Sequence, residues 1–405
     1  MALNKLFNNT FWIQTKNLLL KKNTVLFVWI LIAFFTATKQ YFIFSYNNYL
    51  IFKYTYVHAV EHVNLFLSYP QYTDNNHYGP FFSLLIAPFA LLPDYWGMLL
   101  WQLANTLFLF WAITKLPIDE KKLVILLWIS THEMLTSVLS FQFNPSIAGI
   151  IILAFVFIDT KKDFWAAFFI VLGTFVKLYG IVGLAFFFFS KQKIKFIGSM
   201  AFWAIVFFVV PMIFFTPEYI VQSYVDWYHS LIEKNEINTN LMGSTDISVM
   251  GMVRRLFQNP DIPNTPFALA GISIFGLIYI RVKQYVHIHF RLLFLCSVLL
   301  FTVLFSSGAE SPTFIIAFAG VALWFVLQPK PYSKTVWFLL VFALIITSFS
   351  PSDLFPDYIR ENYIKHYSLK ALPCFVILLF IWNDLLRRDF SKYLQSDTIN
   401  TNDTE

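Results

Sequence analysis

Runs of apolar residues long enough to cross a lipid bilayer recur along this chain, and the gaps between them alternate in character. One set of gaps is short and basic: "KLPIDEKK", "DTKKD", "SKQKIK", "RVKQYVHIHFR", "KPYSK" and "NDLLRRDFSK". The other set, 46–80, 216–264, 308–311 and 350–370, is richer in His, Asp, Glu, Asn and Tyr. Inside a bilayer every backbone N–H and C=O needs a partner within the protein, so an isolated run of about 20 apolar residues has to be a helix. The pattern predicts an all-α polytopic membrane protein of about twelve transmembrane helices. The expected spans lie near 24–45, 95–115, 121–139 and 145–159, two short ones within 163–189, one near 196–215, then 265–281, 291–307, 312–328, 335–349 and 371–386. Loops rich in Lys and Arg stay in the cytoplasm. With a cytoplasmic N-terminus, all six basic gaps fall inside and all four polar stretches fall outside. The parity closes only if 81–92, a short apolar piece containing Pro88, is an interfacial or re-entrant helix.

Composition agrees. Of 405 residues, 58% are hydrophobic and 13% charged, with mean hydropathy +0.62, whereas a soluble domain carries about 25% charge. The net charge of +6 sits mainly in the short loops, where it orients the protein, and needs no nucleic-acid partner. Cys296 and Cys374 both lie in apolar runs, so neither a disulfide framework nor a thiol metal site is expected. Lys16, Lys21 and Lys22 precede the first span and no small-residue cleavage site follows it, so that span reads as a permanent helix. The expected organisation is a cytoplasmic segment 1–23, a transmembrane domain 24–386 and a cytoplasmic tail 387–405, ending in a frayed "SDTINTNDTE".

The spans hold few charges, mainly Lys39, Glu133 and Lys177. An ion-coupled transporter places ionisable groups near the midplane. This chain gathers them at one membrane surface, where a lipid-linked substrate presents its head group. That favours a membrane enzyme over the alternatives, a lipid-linked glycan flippase or other transporter.

Five segments resemble glycosyltransferase family 87. They are "HYGPFFSLLIAPFALLP" from His77, "SFQFNPSIAGIIIL", "GTFVKLYGIVGL", "STDISVMGMVRRL" and "GAESPTFIIAF". Their order and sidedness carry the likeness over roughly 25–330. The resemblance implies a GT-C-like helical bundle that moves a hexose, typically mannose, from a polyprenyl-phosphate donor to a glycolipid or glycan acceptor, with its site on the extracytoplasmic side of a bacterial-type inner (plasma) membrane. It implies membrane lipids as surroundings and no cofactor. Family members commonly carry an Asp soon after the first helix; here "SYNNY" places Asn47 and Asn48 there, and an amide is no general base. A noncatalytic glycolipid-binding relative therefore stays a third reading.

Inverting transfer from a lipid phosphate needs one base near the acceptor hydroxyl and cations or N–H groups for the departing phosphate. A monophosphate can be neutralised by Arg, Lys or His, so no metal is required. Asp74 in "YTDNNHYGP" is the first choice of base, with His77 and Tyr78 beside it; a loop Asx-turn is the plain alternative. Glu61 is the second. If helical, Lys53, Val57, Val60, Glu61 and Asn64 share one face, and Lys53 could reach a phosphate or snorkel. His58 and His62 are four apart but lack a zinc motif, so interfacial histidines are expected and no metal. Lys177, Arg254 and Arg255 are expected on the donor phosphate, although the arginine pair could equally mark a membrane boundary. Gln142, Asn144, Asn48 and Glu310 are expected on sugar hydroxyls, although Glu310 could equally cap the Ser–Pro helix start after it. Glu133 is a further outer-leaflet acid.

Overall fold

A computed structural model describes residues 17–241, 243 and 245–393, and among them every regular element is helical. The expected frayed C-terminal end and most of the segment 1–23 lie outside the described residues. Four helices are long and apolar enough to cross a membrane: α1 (Lys22–Phe42), α4 (Asp94–Thr114), α5 (Glu120–Leu139) and α8, which runs from Lys193 and continues past Pro211 to Phe214. Between α1 and α4 lie α2 (Asn47–Val60) and α3 (Phe82–Ala90). The expected count of about twelve spans is met only as several apolar helices. Others are shorter: α6 (Asn144–Asp159), α7 (Asp163–Lys177), α11 (Thr265–Tyr279), α12 (Ile288–Leu304), α13 (Phe314–Val326), α14 (Lys334–Phe342, extended by a π turn to Phe349) and α15 (Ala371–Arg387). At 1.5 Å per residue a 15-residue helix such as α7 is about 22 Å long, against about 30 Å of hydrocarbon.

The core sits where α6, α12 and α13 meet. These helices are apolar on almost every face and buried on almost every face, as a helix without a polar stripe must be. α12 packs on α13, α13 on α5, and α6 on α4 and α7; α1 covers α4 and α5 from outside.

Two glycines set the geometry that matters for function. The run "GTFVKLYGIVGL" folds as α7, a turn at Lys177–Leu178 and a 3-10 segment Tyr179–Phe189. The return is tight because Gly180 lies against the backbone of Gly173; a Cβ at Gly180 would stand 2.3 Å from the Gly173 carbonyl carbon. Gly79 likewise rests on the end of α7. A Cβ there would be 2.1 Å from the Phe175 carbonyl oxygen, and its N–H donates to the Val176 carbonyl at 3.0 Å. Together they bring Tyr78, Lys177 and Tyr179 to one end of the bundle.

The two long polar stretches meet at that same end. The second contains α9 (Pro217–Asn238), started by a Thr216 cap and Pro217 in its first turn, and α10 (Val249–Phe257). Ile220 and Trp227 of α9 join Phe215 against Ala59, Leu65 and Phe66 of the first stretch in a small apolar core. The other polar stretches join them: the Ile247 N–H donates to the Ala309 carbonyl, and Arg255 reaches Ser368. The basic loops meet one another elsewhere. Arg291 pairs with Asp159 at 2.7 Å, Arg281 donates to the Leu385 carbonyl at 2.8 Å, and Gln284 to Asp389 at 3.2 Å. α3, nine residues with Pro88 inside, is too short to span a bilayer.

Candidate active site

The polar end holds a cavity of about 340 Å³ between α2, the loop to Tyr78, the α7 turn, α9 and the residues before α13. Asn48, Asp74, His77, Tyr78, Gln142, Lys177 and Glu310, all expected site residues, line it.

Four of the expected residues form one directed chain of hydrogen bonds. Lys177 Nζ donates to Asn144 Oδ1 at 2.7 Å, Asn144 Nδ2 to Gln142 Oε1 at 2.5 Å, and Gln142 Nε2 to Glu310 Oε2 at 2.7 Å. An ammonium can only donate and an ionised carboxylate only accept, so the two ends fix both amide orientations. The ammonium also lies 5.3 Å from the Tyr78 ring centre and 5.2 Å from that of Tyr179, a cation–π box. Among the described residues its other two donors meet no acceptor. The Glu310 side chain also accepts from the Thr313 backbone N–H, in a capping box that opens the turn before α13.

Asp74 stands at the rim with its side chain 59% exposed. It has a left-handed backbone (φ 72°), and its Oδ1 accepts from the Asn75 N–H at 2.8 Å, the local Asx geometry. The His77 ring, with Nε2 3.9 Å from Oδ1, is the largest influence on its acidity. With the Asn75 N–H and Lys234 Nζ at 3.3 Å, it outweighs partial burial and holds the carboxyl well below the usual carboxylate range. His77 itself is fixed by α9: Nδ1 shares a 2.8 Å hydrogen bond with Ser230 Oγ, and Trp227 Nε1 donates to the His77 carbonyl at 2.9 Å. Among the described residues, His77 Nε2 and Asn238 Oδ1 are buried atoms without a hydrogen-bond partner, and both residues line the cavity. Buried polar atoms are rarely left so, and two beside one cavity suit a ligand rich in hydroxyls.

Other expected residues stand away from the relay, all but Asn48 outside the cavity lining. α2 ends at Val60, so Glu61 is its exposed C-cap and does not continue a Lys53 face. Lys53 pairs with Asp94 at 2.5 Å. Asn47 accepts from the Thr73 N–H and donates to the Thr73 carbonyl; Asn48 donates to the Ser140 carbonyl at 2.7 Å. Arg254 is buried, on Asp246 Oδ2 at 2.5 Å, the Ile262 carbonyl and Asn264. Arg255 holds the carbonyls of Gly243, Thr245 and Asp246 together with Ser368. Both guanidinium groups brace the outer loop. Arg254 comes within two contacts of the cavity, because Asn264 donates to Asn235, a lining residue. Glu133 is fully buried in α5, where Lys370 donates to both its oxygens at 3.1 and 3.0 Å and to Ser311.

Several lining residues carried no sequence signal. Lys234, Asn235 and Asn238 lie on the polar face of an amphipathic helix, which reads like any solvated face. Tyr179 and the Ser306–Gly308 turn were legible only by their closeness in sequence to Lys177 and Glu310.

No curated protein matches the chain. The model of glycosyltransferase family 87 matches residues 76–307, more than half of the chain, and that stretch contains most of the cavity. This match establishes that the chain, helical throughout its described elements, belongs to glycosyltransferase family 87, and its activity is glycosyl transfer.

Proposed function

We propose that this glycosyltransferase moves a hexose, mannose first among the choices, from a polyprenyl-phosphate donor to a lipid- or glycan-linked acceptor at the outer face of a cell membrane, with inversion. The observation that carries the reading is the relay: one cation and one carboxylate, joined through Asn144 and Gln142 beside a single cavity. The acceptor oxygen bonds to the anomeric carbon as the bond from that carbon to the phosphate oxygen breaks. The electron pair leaves with the lipid phosphate, which Lys177 stabilises. The acceptor's proton passes to Glu310. His77 Nε2 and Asn238 take sugar hydroxyls, and Tyr78 and Tyr179 keep the ammonium at the leaving group.

Two carboxylates line the cavity, and this reading gives the proton to Glu310. Asp74 is held too acidic to be a good proton acceptor, since a general base works best with a pKa near the working pH. Its part is to anchor Lys234 and His77 at the rim.

The full-length protein in lipid nanodiscs, supplied with polyprenyl-phosphate mannose, polyprenyl-phosphate glucose and nucleotide sugars in separate reactions, tests the donor class. The expected result is release of lipid phosphate and an inverted glycosidic product from a polyprenyl-phosphate hexose alone. Transfer from nucleotide sugars only would overturn it.

A further inference from the structure

At the end of α7 opposite the catalytic turn lies a second recess, of about 580 Å³. α7 has 15 residues, so its two ends are about 20 Å apart. The walls are aromatic: Trp111 of α4, Phe157 of α6 and Trp165 and Phe168 of α7. Trp111 and Trp165 are 40% and 48% exposed, as residues at a membrane–water boundary are. The mouth carries Lys161, Lys162 and Lys195, all exposed. Among the described residues none of the three has an ion-pair partner. The left-handed backbone at Lys161 (φ 58°) ends α6 and turns the pair toward α7. Inside the recess is Asp163, 2% exposed, whose Oδ1 is buried without a hydrogen-bond partner.

We propose that this recess binds a phospholipid head group that carries a phosphodiester and, beyond it, a hydrogen-bond donor. The phosphate sits among Lys161, Lys162 and Lys195, near the amides that open α7. The donor, an ammonium or a hydroxyl, satisfies Asp163 Oδ1. The glycerol and acyl carbons lie along Trp111, Phe157 and Trp165, which are amphipathic or apolar surfaces at the right depth. The signs are complementary: cations around the phosphate and one buried carboxylate for one donor. Phosphate alone leaves Asp163 unsatisfied, and an unpaired buried carboxylate is costly. A head group whose far end cannot donate, such as choline, has the same defect. This lipid is distinct from the sugar donor, and its binding involves no residue of the catalytic cavity.

Native mass spectrometry of the full-length protein, exchanged in detergent against phosphatidylethanolamine, phosphatidylglycerol or phosphatidylcholine, tests this without any sugar donor. One molecule of phosphatidylethanolamine or phosphatidylglycerol should be retained about tenfold more tightly than phosphatidylcholine. The triple variant K161Q/K162Q/K195Q changes exposed side chains only, so it should fold, and it should lose retention of all three. Asp163→Asn separates the two donors. Loss of phosphatidylethanolamine with phosphatidylglycerol kept means an ammonium partner; loss of neither, with the triple variant still defective, means a hydroxyl. Equal retention of the three lipids by the unaltered protein, or unchanged retention in the triple variant, would reduce the recess to ordinary lipid contact and overturn the proposal.

Discussion

Lys177 and Arg255 are both cations at the polar end of the molecule, and their donors separate them. Arg255 uses its guanidinium on three backbone carbonyls and Ser368, while Lys177 keeps two donors for the cavity. Nothing in "MVRRL" or "FVKLY" states that difference, because it depends on carbonyls brought in from Gly243 and Thr245. The same holds for Asp74 and Glu310: sequence placed both on one face, and only the neighbouring His77, Lys234 and Gln142 distinguish them. His58 shows what burial adds. It is 2% exposed, stacks on Tyr69 at 3.9 Å and leaves Nδ1 unpartnered. Burial pushes its pKa below the ordinary 6.5, outweighing the raising effect of Glu61. Below pH 6.5 the unfolded chain therefore binds more protons than the folded one. The stability from this site is complete above 6.5 and falls as pH drops toward the folded value. Thermal unfolding measured from about pH 7.5 to about pH 5 should show that decline, and His58→Phe should flatten it relative to the unaltered protein.

At the scale of elements, α2 and α9 act as two outer struts, and α5 and α15 are tied by a buried ion pair. The amphipathic reading of 46–80 captured a helix but ran it past Val60, since "EHVN" continues the pattern while the chain turns at His62, whose φ is 55°. Short helices such as α13 were legible because an unbroken apolar run admits only a buried helix; their boundaries were set by Pro and by basic residues. The Glu133–Lys370 pair was not legible, because its members are far apart in sequence and nothing in either segment names the other. Lys370 also donates to Ser311 at 3.0 Å, so the pair also holds the residue next to Glu310. Lys370→Met should leave Glu133 buried and unpaired, costing about 3–5 kcal/mol. Adding Glu133→Leu should recover much of that loss. Thermal melts of the two variants in detergent check this; equal melting temperatures would contradict the tie between α5 and α15.

For the whole molecule, the chain separates its chemistry by end. The polar stretches 46–80, 216–264, 308–311 and 350–370 touch one another, and the basic loops 159–163, 281–291 and 383–392 touch one another. Charge alternation along the sequence anticipated that division because the positive-inside rule acts on loops, which are contiguous in sequence. The cavity was less legible, since it is assembled from six separated segments. Accessibility of tags follows from the division: tags near Lys193 and Lys334 are expected in the cytoplasm and one near Asn238 outside. Asn238 and Lys193 labelled from the same side would refute the arrangement.

The most direct test of the transfer site compares single-turnover rates and donor affinity for Glu310→Gln, Asp74→Asn and Lys177→Met in the full-length protein. Glu310→Gln keeps the hydrogen-bonding shape and removes the base, so turnover should fall by about 10²–10⁴ with donor binding retained. Lys177→Met should weaken donor binding and slow release of lipid phosphate. Asp74→Asn should leave the chemical step largely intact. Normal turnover in Glu310→Gln with a collapse in Asp74→Asn would contradict the account and move the base to the rim.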